Sequence, residues 1–229
     1  MKTPIYHRMF GYATNLLPNR HLAFLEQGVK TIEEARERTG ATIGYPGWGR
    51  IYHLLLSHLD RDREEILIET GTNYGCTTII LAQALIDSGC QGKVITIELE
   101  EKNVEVAKRN FEEAGVHSRI DLRCGNSREI LPEVAQEINT TRFAFLDACH
   151  LYDDVVGEFE ALFPKLVDDA LVLFDNTYRI AEENEDQRVN GALKMILNRH
   201  GGNLINLEFV SWFTPGLAMW QKTPGLLLG

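Results

Sequence analysis

Several things are missing from this chain of 229 residues. Its four cysteines, Cys76, Cys90, Cys124 and Cys149, form no C-x-x-C pair, which argues against a zinc knuckle or a dithiol redox site. They read as free thiols of a reducing, cytoplasmic compartment. No run approaches the roughly 20 apolar residues of a membrane span, and Met1–Phe10 lacks the apolar stretch of a signal peptide. Basic residues are in deficit, 23 against 33 acidic ones. A net charge of −10 argues against nucleic acid as a partner held by a general phosphate footprint. There is no internal repeat, no low-complexity segment and no G-x-G-x-x-G of dinucleotide enzymes.

What is present is enough apolar residue, 44%, for one large α/β domain or two small ones. Residues 1–62 read as a helical extension or lid and residues 63–229 as the main domain. Ile32–Arg38 is a short charged helix before Gly40. Gly44–Gly49 reads as a loop from its Gly and Pro content. Ile51, Leu54, Leu55 and Leu59 repeat at helical spacing.

From Ile66 the pattern alternates. Strands are expected at Ile66–Thr70, Val94–Glu98, Ile120–Cys124, Phe143–Asp147 and Leu171–Asp175. Helices are expected at Thr77–Ile86, Lys102–Ala114, Ser127–Ile138 (with Pro132 marking the true helix start) and Asp153–Leu166. Asn176–Asn190 reads as a polar surface loop or mobile lid, and Ala192–Arg199 as a helix. Leu204–Val210 and Leu217–Gln221 close the chain as a hairpin. The sum is a Rossmann-like, doubly wound α/β fold. It has a mostly parallel seven-stranded sheet, helices on both faces and a C-terminal antiparallel hairpin.

Ligands of such sheets bind beyond the carboxyl ends of the strands. The first strand ends in Glu69-Thr-Gly-Thr-Asn-Tyr-Gly-Cys-Thr77. Gly71 permits a tight turn, and Gly75 lets the next helix begin close to a ligand. Glu98 ends the second strand, 27 residues after Gly71. Its two oxygens can accept both hydroxyls of a ribose. Asp147 and Asp175 end two further strands. Neighbouring strands lie about 4.8 Å apart, so the two carboxylates can converge, with the Asn176 amide oxygen beside them. That is an oxygen set for a hard cation such as Mg²⁺, Mn²⁺ or Ca²⁺. Strand-end aspartates also serve simply as turn formers or caps.

The motifs Glu69-Thr-Gly-Thr-Asn-Tyr-Gly75, Val94-Ile-Thr-Ile-Glu98, Cys124-Gly-Asn-Ser127, Phe145-Leu-Asp147 and Phe174-Asp-Asn176 together resemble the core of class I S-adenosylmethionine-dependent O-methyltransferases. The resemblance covers about half the chain. It implies S-adenosylmethionine (SAM) as cofactor, with Gly71 and its neighbours Thr72, Asn73, Gly75 and Thr77 around the methionine part. Glu98 would hold the ribose, and Asn126 and Ser127 would lie near the adenine. Asp147 would adjoin the cofactor, and Glu69 would orient the turn or the cofactor's ammonium group. The cation-dependent, catechol-type branch is similar in its Asp147, Asp175 and Asn176, which would hold a divalent cation, Mg²⁺ by preference. That branch has a lysine base where this chain has His150. Asp147-x-x-His150-x-Tyr152 instead resembles bacterial sugar and macrolide O-methyltransferases. His150 would be the general base, taking a proton from a hydroxyl acidified by the metal bound at Asp147.

The expected partner is a small hydroxylated acceptor, not a nucleic acid or membrane. Tyr45–Trp48, Trp212–Phe213 and Trp220 read as walls of its pocket, as core, or as contacts of a homodimer. The alternatives are a metal-independent methyltransferase acting on nitrogen or carbon, another user of the fold such as an aminopropyltransferase, or a non-catalytic SAM-binding protein.

Overall fold

The computed structural model describes residues 17–177, 184–208 and 216–223. Three helices come first: α1 (Arg20–Glu26), α2 (Ile32–Thr39) and α3 (Gly44–His58). Then follow β1 (Glu64–Thr70), α4 (Cys76–Ser88), β2 (Gln91–Glu98), α5 (Glu101–Glu113), β3 (Ile120–Cys124), α6 (Ser127–Glu137), β4 (Thr141–Leu146), α7 (Tyr152–Leu162) and β5 (Leu166–Asp175). The chain closes with α8 (Val189–His200), β6 (Asn203–Glu208) and β7 (Leu217–Gln221). Short 3₁₀ turns at His117–Arg119, Phe163–Lys165 and Glu185–Gln187 join some of these.

The seven strands form one sheet in the order β3-β2-β1-β4-β5-β7-β6. The first five are parallel, and β7 runs antiparallel between β5 and β6. This is the expected sheet, with the expected antiparallel close. The strand order reverses between β1 and β4, and a crevice opens there beyond the strand ends.

Side-chain alternation explains why both faces are covered. Leu67, Phe143, Phe145, Leu171 and Leu173 point to one face, where they pack with Trp48, Ile51 and Leu55 of α3, Ile79 and Ile80 of α4, and Phe111 of α5. Ile68, Ala144, Leu146, Val172 and Phe174 point to the other, against Leu131 of α6, Phe159 of α7 and Ile196 of α8. These strands are apolar on both sides, as buried parallel strands must be. No described helix is long and apolar enough to cross a membrane.

Two local expectations need correction. Gly44–Gly49 is the first turn and a half of α3, not a loop. Pro46 falls where a helical N–H has no partner in any case, so it does not break the helix. Gly47 leaves room for Ile43, and Trp48 is fully buried with its indole N–H donating to Thr77 Oγ1 (3.2 Å). Pro132 lies inside α6 and does not start it. The helix starts five residues earlier, at Ser127, and is capped by Asn126, whose side chain accepts the Arg128 N–H at 3.0 Å.

Candidate active site

The turn after β1 is built by its glycines. Gly71 has φ 83°, and its N–H donates to Ile97 O at 2.9 Å. A Cβ there would collide with the backbone carbonyl of Asp147, so only glycine lets the β1 turn lie against the end of β4. Gly75 caps α4 at φ 80°, pressed against the ring of Phe111. Asn73 takes the left-handed φ of 51° that asparagine tolerates, and its amide holds Ala41 O at 2.9 Å.

Glu98 is the hub at the end of β2. Its carboxylate accepts from the Asn73 N–H (2.6 Å), the Glu100 N–H (2.9 Å) and the Asn103 amide (3.2 Å). The turn and the acid, joined in sequence only by spacing, are thus joined physically. At the next strand end, Asn126 caps α6, and Ser127 Oγ donates to Glu158 Oε1 at 2.5 Å.

These ends enclose a cavity of about 620 Å³. Among the sequence-predicted residues, Gly71, Asn73, Glu98, Asn126, Ser127, Asp147, His150, Asp175 and Asn176 line it. Glu69, Thr72, Gly75 and Thr77 stand behind the lining. Glu69 is fully buried, and its Oε2 accepts from the hydroxyls of Thr78 and Thr96, with Thr72 Oγ1 in turn 2.6 Å from Thr96 Oγ1. It therefore braces the turn from beneath. Burial, the largest cause, pushes its carboxyl up to about 7. Thr77 faces away, sharing hydrogen bonds with Thr42 and Trp48.

In the wall of the same cavity, the ligand atoms of Asp147, His150 and Asp175 lie within 4.8 Å of one another. Burial, and then the charge and hydrogen bond of Asp175, hold the Asp147 carboxyl well above the usual carboxylate range. The neighbouring acids Glu69 and Glu158 push the same way. Two carboxyls this close and this buried favour a shared proton or a cation between them. Burial, and then the positive charge of Arg188, push the His150 imidazole down to about 4, so the ring is uncharged at neutral pH.

Some participants went unread in the sequence. Arg36, Ala41 and Thr42 bring the N-terminal segment to the cavity, and Leu99, Asn103, Arg128, Cys149 and Asp154 complete much of the wall. Glu158 lies wholly buried behind it, accepting from Thr70 Oγ1 (2.9 Å) as well as from Ser127. Its spacing on α7 offered no signal, since an acid one helical turn from another reads as surface. The predicted aromatic walls fare differently. Trp48 and Trp220 are fully buried core residues, because each indole N–H finds an internal acceptor. Trp212 and Phe213 lie outside the described residues, as do residues 178–183 of the expected loop lid.

Comparison with known proteins fits this geometry. A family model described as a methyltransferase domain matches residues 68–177, the stretch from β1 to just past β5. The resemblance to class I SAM-dependent O-methyltransferases is upheld by its relatives. A catechol O-methyltransferase of Niastella koreensis is 37% identical over 71 residues, 31% of this chain and 31% of that protein. The chain thus matches about a third of the length of such curated relatives. An O-methyltransferase of Bacillus cereus, solved in complex with SAH, has a TM-score of 0.73 at 22% identity, over 94% of this chain and 97% of that one. The O-methyltransferase TomG of Streptomyces achromogenes, solved with SAM, has a TM-score of 0.71 at 21% identity, over 90% and 91%. These likenesses establish the fold.

Proposed function

We propose that the protein transfers a methyl group from SAM to a hydroxyl of a small-molecule acceptor, assisted by a divalent cation. The observation that carries this reading is that the Glu98–Asn73 hub and the Asp147–Asp175 pair line one cavity. The hub and its turn offer a carboxylate and a glycine backbone to a nucleoside with an amino-acid tail. The acid pair offers converging carboxyl groups, with Asn176 and an uncharged imidazole, to the acceptor. Relatives named as catechol O-methyltransferases, and fold neighbours solved with SAM or SAH, support the same donor and acceptor class.

In this reading Glu98 fixes the ribose, while the Gly71–Asn73 backbone faces the methionine part. Asn126 and Ser127 border the adenine. Asp147, Asp175 and Asn176 would hold the cation, whose contribution is to acidify the acceptor hydroxyl. As the methyl carbon's bond to sulfur breaks, its bond to the acceptor oxygen forms, and the sulfonium becomes a neutral thioether. The hydroxyl proton passes to a basic atom of the site, an oxygen of the Asp147–Asp175 pair or the His150 nitrogen, and then to water. Alignment of oxygen, methyl and sulfur supplies much of the acceleration. Arg36, Ala41 and Thr42 give the N-terminal extension the position a lid over this cavity needs.

The test is calorimetric titration with S-adenosylhomocysteine, followed by transfer of a labelled methyl group to a panel of phenols, sugars and amines. Binding with transfer to oxygen is expected. Transfer to amines alone, or no binding, would overturn the reading.

A further inference from the structure

We infer that His150 is a cation ligand, completing an Asp147–His150–Asp175 nitrogen-and-oxygen set that prefers a first-row transition ion over Mg²⁺. The inference rests on the cation-assisted reading above and assigns the imidazole a role there, as ligand in place of base.

Three observations support it. The His150 nitrogen and a carboxylate oxygen from each aspartate fall within 4.8 Å of one another, close enough to share one ion. The residues reach that point from different elements: Asp147 and His150 from the loop after β4, Asp175 from the end of β5. Finally, His150 lies half-buried at the wall of the same cavity that Asp147, Asp175 and Asn176 line, with the Arg188 charge nearby.

Chemistry then selects the ion. Mg²⁺ favours oxygen ligands and retains water, whereas an imidazole nitrogen suits the series from Mn²⁺ through Co²⁺ and Ni²⁺ to Zn²⁺. With two carboxylates and one imidazole from the chain, open positions remain for Asn176, water and an acceptor oxygen. A lysine at position 150 would leave an all-oxygen set, so the histidine changes the preferred ion as well as the residue.

The experiment titrates the full chain, saturated with S-adenosylhomocysteine, with Co²⁺ and with Mg²⁺. Wild type is expected to bind Co²⁺ at least about tenfold more tightly than Mg²⁺. His150→Ala and His150→Gln should lose about tenfold or more in Co²⁺ affinity while Mg²⁺ affinity changes little. Asp147→Asn should lose both. Independently of any variant's folding, pulsed EPR of Mn²⁺ bound to wild type carrying ¹⁵N-histidine should show a directly coupled nitrogen. Unchanged Co²⁺ binding in both His150 variants, or no nitrogen coupling, overturns the ligand role and leaves the cation reading standing. Absence of cation binding to wild type overturns both.

Discussion

The backbone of Gly71 rests against the carbonyl of Asp147, leaving no room for a side chain between them. One contact therefore fixes the spacing between the glycine turn and the end of β4. Gly71→Ala would strain a left-handed φ, costing about 1–3 kcal/mol, before the clash itself is counted. We expect a fall in Tm of several degrees and S-adenosylhomocysteine binding weakened by more than about tenfold. Thermal unfolding and calorimetry would check this. Wild-type binding in the alanine variant would show that the turn and the end of β4 adjust independently.

Glu98 carries two duties, since the oxygens that would meet a ribose also hold Asn73 and Glu100. Glu98→Gln keeps the shape but removes the charge and one acceptor. Hydrogen bonds to charged groups contribute about 1.5–3 kcal/mol, so affinity for S-adenosylhomocysteine should fall by about tenfold or more. A change under twofold would take Glu98 out of cofactor recognition.

The pH dependence of stability follows from Glu69. Its folded carboxyl titrates near about 7 and an unperturbed one near 4.5, so the folded state holds the proton more tightly. The resulting stabilisation is full below pH 4.5, declines as pH rises toward 7, and is gone above it. The size is about 3 kcal/mol. Buried Glu158, also pushed up to about 7, acts in the same sense. Glu69→Gln has no proton to lose, so its Tm should fall less than wild type between pH 5 and pH 8. Parallel Tm curves for the two proteins would refute this account of the buried acid.

Much of this architecture was legible in the sequence, because buried parallel strands announce themselves as short apolar runs and helices by their spacing. Ile120–Cys124 coincides with the observed β3, and the glycine turn and Glu98 both line the cavity. The misreadings have a common cause. Pro46, Gly47 and Pro132 were weighed by propensity, yet α3 and α6 are held by tertiary contacts and a cap that outweigh it. Glu158 and Arg36 were unreadable for another reason. Nothing local distinguishes a helix acid or arginine on the surface from one that folding carries beneath or beside a site. The convergence of Asp147 and Asp175 was legible from their strand ends, but that of His150 with them depends on the path of the loop after β4, which spacing does not encode.

The central claim is cation-assisted methyl transfer to a hydroxyl. Its most direct measurement follows [methyl-¹³C]SAM by NMR with catechol-type and sugar acceptors, before and after chelation with EDTA and then after Co²⁺, Mn²⁺ or Mg²⁺ is restored. The account predicts a methoxy signal that disappears on chelation and returns with a divalent ion, and that is absent from Asp175→Asn under all conditions. A methoxy signal of full intensity in EDTA, or a labelled methyl appearing on nitrogen or carbon, would contradict it.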